Sequence, residues 1–105
     1  MSHIIQSLRQ NDINSKIEVE VTEDDVVVDI SGATTKELTV KRPDNTTFTR
    51  QALFSDTGVN GLIHFLTIAG DLNLEGTYYI QAYIVLPSWN GHSTIGEFTV
   101  EENLV

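Results

Sequence analysis

The stretch Glu75-Gly76-Thr77-Tyr78-Tyr79-Ile80-Gln81-Ala82-Tyr83-Ile84-Val85-Leu86 decides the architecture. Its period is two. Tyr78, Ile80, Ala82, Ile84 and Leu86 fall on one face, and Tyr79, Gln81, Tyr83 and Val85 on the other, as in a β-strand with one face buried. The same period governs Lys16-Ile17-Glu18-Val19-Glu20-Val21, whose apolar members face a core while the charged ones face water. It returns where Leu38 and Val40 alternate with Glu37, Thr39 and Lys41. A further strand over 46–54 puts Phe48, Arg50, Ala52 and Phe54 on one face. Leu62-Ile63-His64-Phe65-Leu66-Thr67-Ile68 is apolar on both parities, which predicts either two covered faces or a register shift at a bulge.

Turn formers punctuate these runs. Glu23-Asp24-Asp25 is an acidic turn, and Val26 to Ile30 is a short extended piece closed by Ser31-Gly32, where Gly supplies a positive φ. Pro43-Asp44-Asn45 turns next, with proline pre-set for the first central position. Ser55 to Gly58 and Asn60-Gly61 precede the doubly apolar strand. Residues 69–76 read as a loop or a single helical turn. Pro87-Ser88-Trp89-Asn90-Gly91-His92 reads as a hairpin tip, returning through a strand with Ile95, Phe98 and Val100. Six to eight short strands at this spacing predict an all-β sandwich.

With 105 residues the chain fits one domain, 1–105, with 1–10 as a first strand or docking arm and 101–105 as a short tail. Six basic residues are scattered among fifteen acidic ones for a formal charge of −9, which argues against a nucleic-acid partner because phosphate binding needs a concentrated positive surface. The chain has no cysteine, so disulfides and thiolate chemistry are excluded. Neither a membrane-length apolar run nor a secretory leader is visible, and synthesis in a cytoplasm is expected.

Gly76-Thr77-Tyr78 resembles the immunoglobulin corner, in which a tyrosine hydroxyl ties the loop back to the strand two residues after a glycine. Ile80 stands where antibody domains carry a disulfide cysteine. A more specific resemblance covers roughly residues 17–100: the runs over 29–45, 62–84 and 96–100 are similar to the N-terminal domain of phage baseplate upper proteins. The resemblance implies an immunoglobulin-like β-sandwich of about seven strands with Greek-key connections, and a non-enzymatic bacteriophage virion structural protein. In that family the module leads into a longer chain, whereas this sequence stops after the last strand. A small adaptor or decoration subunit is therefore expected, on a baseplate, tail, fibre or capsid, with other virion proteins as partners in several symmetric copies and room for homo-oligomerisation.

No catalytic, cofactor or metal site is expected. Asp71-Leu72-Asn73-Leu74-Glu75-Gly76 opens like a calcium loop, but the twelfth position is Ala82, inside a strand, so capping and turn roles fit these residues better. His3, His64 and His92 lack metal-ligand spacing, and no Gly-x-Ser-x-Gly elbow activates a serine. Glu18 and Glu20 share an outward strand face. The candidates for partner binding are Trp89, at a hairpin tip where burial is difficult, and Tyr79, Tyr83 and Val85 on one outward face; Gly76 and Tyr78 form the structural corner. Trp89→Ala is thus expected to spare the thermal midpoint. A segment over 4–8 covering the tyrosines is the competing arrangement, and a carbohydrate-binding module using the same aromatics is the alternative function.

Overall fold

The computed structural model describes residues 8–93 and 95–102, in which eleven strand segments and no helix are found. They are β1 (Leu8–Arg9), β2 (Lys16–Glu20), β3 (Thr22–Glu23), β4 (Val26–Val27), β5 (Thr35–Lys41), β6 (Thr47–Gln51), β7 (Leu53–Phe54), β8 (Leu62–Leu66), β9 (Gly76–Leu86), β10 (Trp89–His92) and β11 (Gly96–Glu101). The large sheet runs β1-β11-β9-β5-β6, with β10 also paired to β9; the small sheet runs β2-β8-β7; β3 and β4 form a separate hairpin. The chain crosses repeatedly between the two sheets, the Greek-key wiring of an immunoglobulin-like sandwich.

Alternation builds the core. Ile17 and Val19 of β2, Ile63 and Phe65 of β8, Leu38 and Val40 of β5, Tyr78, Ile80, Ala82 and Ile84 of β9, and Phe98 and Val100 of β11 are buried between the sheets. Leu8 joins them from β1, which pairs in parallel with β11. The parallel addition places residues 8–9 away from the outward tyrosines, and the covering segment over 4–7 lies outside the described residues.

Several sequence expectations change in detail. The strand over 46–54 divides at buried Ala52, so that β6 pairs with β5 in the large sheet while β7 pairs with β8 in the small one. Phe48, Arg50, Ala52 and Phe54 keep one parity across this sheet switch. The β8 strand has neither a bulge nor two covered faces: its register with β2 is continuous, Ile63 and Phe65 are buried, and Leu66 is exposed. Residues 69–75 form turns without a helix. Gly32 does not have a positive φ. Its turn is held instead by the Asp29 carboxylate, which accepts from the Ser31 amide (3.0 Å) and hydroxyl (2.7 Å). Left-handed backbone occurs at Asp24 and Asp25, the two central residues of the β3–β4 hairpin, a type I′ arrangement made without glycine.

The hairpin after β9 also differs. Trp89 pairs with Leu86, so the tip is Pro87-Ser88 and Trp89 is the first residue of the returning strand. Opposite Leu86 it lies on the core face, half-buried and packed against the core, with its indole beside the Gly91 α-carbon. The expected exposed tip is therefore corrected. Asn90-Gly91, the strongest local turn signal, sits inside β10. Ile95 is exposed just before β11 begins.

Candidate docking face and its supports

Tyr78 is fully buried at the start of β9. Its hydroxyl donates to the Leu74 carbonyl (2.7 Å) and accepts from the Leu74 amide (3.2 Å), while the ring stacks on Phe98 at 5.2 Å. Burial raises the hydroxyl's pKa, with the Leu74 bond opposing. Gly76, at φ 127°, lies against the Pro43 ring: an added Cβ would meet Pro43 Cγ at 3.0 Å. These contacts lock the loop before β9 and fix the strand's two faces.

On the outward face of the large sheet, paired residues stand side by side. One row holds Thr47, Lys41, Tyr79 and Glu97; the next holds Thr49, Thr39 and Gln81; the next holds Gln51, Glu37, Tyr83 and His92. Two shallow depressions lie here. The first, about 190 Å³, is lined by Tyr79, Ile95, Lys41, Thr39, Thr47 and Gln81 among others. The second is lined by Glu37, Thr39, Thr49, Gln81, Tyr83 and His92. Tyr79 is 43% exposed, and Tyr83 is half-buried against His92 with ring centroids 4.8 Å apart. Tyr79, Tyr83 and Val85 thus share one face, and Trp89 lies on the opposite face of the same sheet. Ile95, 63% exposed beside Tyr79, is a member of this face that its sequence parity with Glu97 and Thr99 also marks.

A break between β10 and β11 shapes that face. Ser93 is buried; its amide donates to the Ala82 carbonyl and its hydroxyl accepts from the Ala82 amide, both at 2.9 Å. Gln81 in turn donates to the Ser93 carbonyl at 2.9 Å. The serine side chain thereby replaces a ladder carbonyl where the strand is interrupted.

The remaining polar residues have structural partners. Asp71 is buried, accepts from the Ile68 amide at 3.0 Å, and pairs with Arg50. Arg42 donates to the Asp71 and Gly70 carbonyls, and the guanidinium groups of Arg42 and Arg50 lie 4.5 and 4.7 Å from the Phe48 ring centroid. Both Asp71 oxygens are thus engaged in closing one end of the sandwich. Among the described residues no group of three or more histidine or acidic side chains is placed to hold a metal ion.

Sequence reasoning missed one constellation on the small sheet. Cross-strand pairing sets Glu18 beside His64, and the Ser55 hydroxyl lies 2.9 Å from His64 Nδ1. Glu18 is held below the usual carboxylate range chiefly by the Ser55 hydroxyl, against its burial and with help from Lys16 at 3.1 Å. Desolvation lowers the His64 pKa. The order is carboxylate, hydroxyl, imidazole, so the acid does not orient the base as in a nucleophilic triad. The group braces the β7 end to β2 and β8. The registers of both β2 and β7 on β8 are needed to reveal it, because Glu18 lies on β2, His64 on β8 and Ser55 directly after β7.

A family model, the BppU N-terminal domain, matches residues 1–103. The chain belongs to that family, the N-terminal domain of phage baseplate upper proteins. Membership implies a phage baseplate-associated structural protein, a virion component that associates with other virion proteins. The family is a structural one, which suggests a non-enzymatic role. No curated protein matches the chain.

Proposed function

We propose that this chain is a small non-enzymatic adaptor or decoration subunit that docks on a larger virion assembly through the outward face of its large sheet. The observation that carries the reading is the placement of Tyr79, Ile95 and Tyr83 on one outward face, where they line two shallow depressions. Aromatic side chains on a preformed surface bury much area at low entropic cost. Val85 extends the face, and Trp89 supports it from beneath as the core-side anchor of β10. Repetition in several symmetric copies converts a modest interface into firm attachment. Synthesis in the host cytoplasm precedes incorporation, and the acidity favours solubility and a position away from packaged DNA.

The test is crosslinking of tagged protein to disrupted virions, with partners identified by mass spectrometry beside a Tyr79→Ala, Ile95→Ala control. Recovery of a baseplate, tail, fibre or capsid protein, lost in the control, supports docking through this face. Recovery that is unchanged in the control sinks it.

The carbohydrate-binding alternative has one favourable observation: Tyr79 stands beside Thr39, Thr47, Gln81 and Lys41, an aromatic surface flanked by hydrogen-bonding groups. Saturable binding in a glycan screen, lost in Tyr79→Ala, would put it first.

A further inference from the structure

Among the described residues the sandwich has several strand edges with no further strand paired to them, and they differ in how they are protected. The small-sheet edge β2 turns the backbone groups of Lys16, Glu18 and Glu20 outward: Val21 donates to Gly61 and Thr67 donates to Ser15, which fixes the odd residues as those bonded to β8. Charged side chains thus guard that edge. The β1 and β7 edges are two residues long, and β10 is four. The β6 edge is different.

In the β5–β6 pair, Arg42 donates to Thr46 and Ala52 donates to Lys36, so the even residues of β6 exchange bonds with β5. In an antiparallel ladder the odd residues then point their amides and carbonyls away. Thr47, Thr49 and Gln51 therefore present a row of backbone donors and acceptors on the terminal strand of the large sheet, and all three side chains are uncharged and exposed. Among the described residues, the side-chain hydrogen bond made to this backbone row is a long one, from Arg50 to the Thr49 carbonyl at 3.4 Å. Thr is a strong strand former, and no Pro or Lys protects the row.

We propose that β6 is a self-complementary edge through which two copies of this chain pair antiparallel across a two-fold axis at Thr49. The inference stands independently of the docking face. Outward backbone groups must meet outward backbone groups, and the one such register that pairs all three outward residues sets Thr49 against Thr49 of the second copy and Thr47 against its Gln51. On the outward face this continues an existing ladder: Thr39 and Thr49 already share a hydroxyl hydrogen bond at 2.9 Å, and the pairing sets Gln81-Thr39-Thr49 against the same row reversed. In the flanking rows, Lys41-Thr47 of one copy is aligned with Gln51-Glu37 of the other, so opposite charges lie at the two ends and no like charges meet. On the core side Phe48 faces Arg50 of the second copy, extending the arginine-aromatic contacts already made within each copy. A second copy is the occupant because one strand supplies both halves of each complementary row, the requirement of an isologous interface.

The expected behaviour is a concentration-dependent mass of twice the monomer in sedimentation equilibrium. Thr49→Lys sets two ammonium groups face to face on the axis and should raise the dimer dissociation constant by roughly ten-fold or more. Register is read separately by single cysteines in this cysteine-free chain under an added oxidant. Thr49→Cys should crosslink, since paired α-carbons about 5.5 Å apart suit a disulfide. Thr47→Cys should not, because its two copies would lie about 14 Å apart along the strands. A monomer at every concentration overturns the proposal, as does a dimer indifferent to Thr49→Lys or one that crosslinks through Thr47 and not Thr49. Failure here leaves crosslinking to virion proteins untouched, so the two readings are distinguishable.

Discussion

Tyr78 shows what a single side chain contributes. Its hydroxyl serves both polar groups of Leu74, and Tyr78→Phe leaves that amide and carbonyl unpaired in a part-buried corner. The expected loss is about 1–2 kcal/mol in urea unfolding, with stacking on Phe98 retained. The corner was legible because a glycine two residues before a tyrosine in an alternating run is a local signal. The Arg50–Asp71 pair was not: twenty-one positions separate them, and only the packing of β6 against the loop before β9 brings them together. Arg50→Ala should cost about 3–5 kcal/mol, because it strands a buried carboxylate. The double variant Arg50→Met, Asp71→Leu should recover part of that loss in the same unfolding assay, since it leaves no unpaired charge and only the Ile68 amide without its acceptor. Equal losses in the single and double variants would mean that contacts other than the ion pair carry the stability.

At the scale of elements, clean alternation fixes which face of a strand is buried, and the sequence misleads where several turn formers crowd together. The run Pro87 to His92 reads as one hairpin tip with Trp89 inside it, yet the observed hairpin turns at Pro87-Ser88. That shift moves Trp89 from solvent to the core side opposite Leu86. The β8 strand was ambiguous for a different reason: Leu62, Leu66 and Ile68 are apolar on a face that the fold leaves open, and composition cannot say which face is covered. The outward placement of Tyr79, Tyr83 and Val85 followed directly from alternation along β9, whereas their neighbours Thr39, Thr47 and Ile95 required the pairing of four strands. Trp89→Ala, now expected to remove core contacts, should lower stability by about 2–3 kcal/mol and the thermal midpoint with it. An unchanged midpoint would return Trp89 to solvent. Ser93→Ala tests the strand break: without the hydroxyl the buried Ala82 amide loses its acceptor, at about 1–3 kcal/mol. Hydrogen exchange at Ala82 should quicken in that variant while exchange at Leu38, in the middle of β5, follows only the global change.

For the whole molecule, two electrostatic effects pull in opposite directions as the solution is acidified, and one substitution separates them. The chain carries a formal charge of −9 at neutral pH, so protonation of carboxylates relieves repulsion across the surface. His64 acts the other way. Desolvation holds its pKa below the ordinary 6.5, so between that value and the folded-state value the unfolded chain binds a proton that the folded one declines. Stability present above 6.5 is therefore lost as the pH falls through the folded pKa. Glu18 adds a second loss at lower pH: its folded pKa lies below the ordinary 4.5, so its contribution is present above that value and disappears under it. Urea unfolding of the wild type across pH 7.5, 6.5 and 5.5 should show declining stability. His64→Gln should be less stable at pH 7.5, having lost the Ser55 bond, yet flatter across the same range. Added salt screens the surface repulsion and should raise the midpoint of both proteins alike, leaving the difference in pH slope intact. Identical slopes in the two proteins would remove His64 as the source and leave the acid response to the surface charge as a whole.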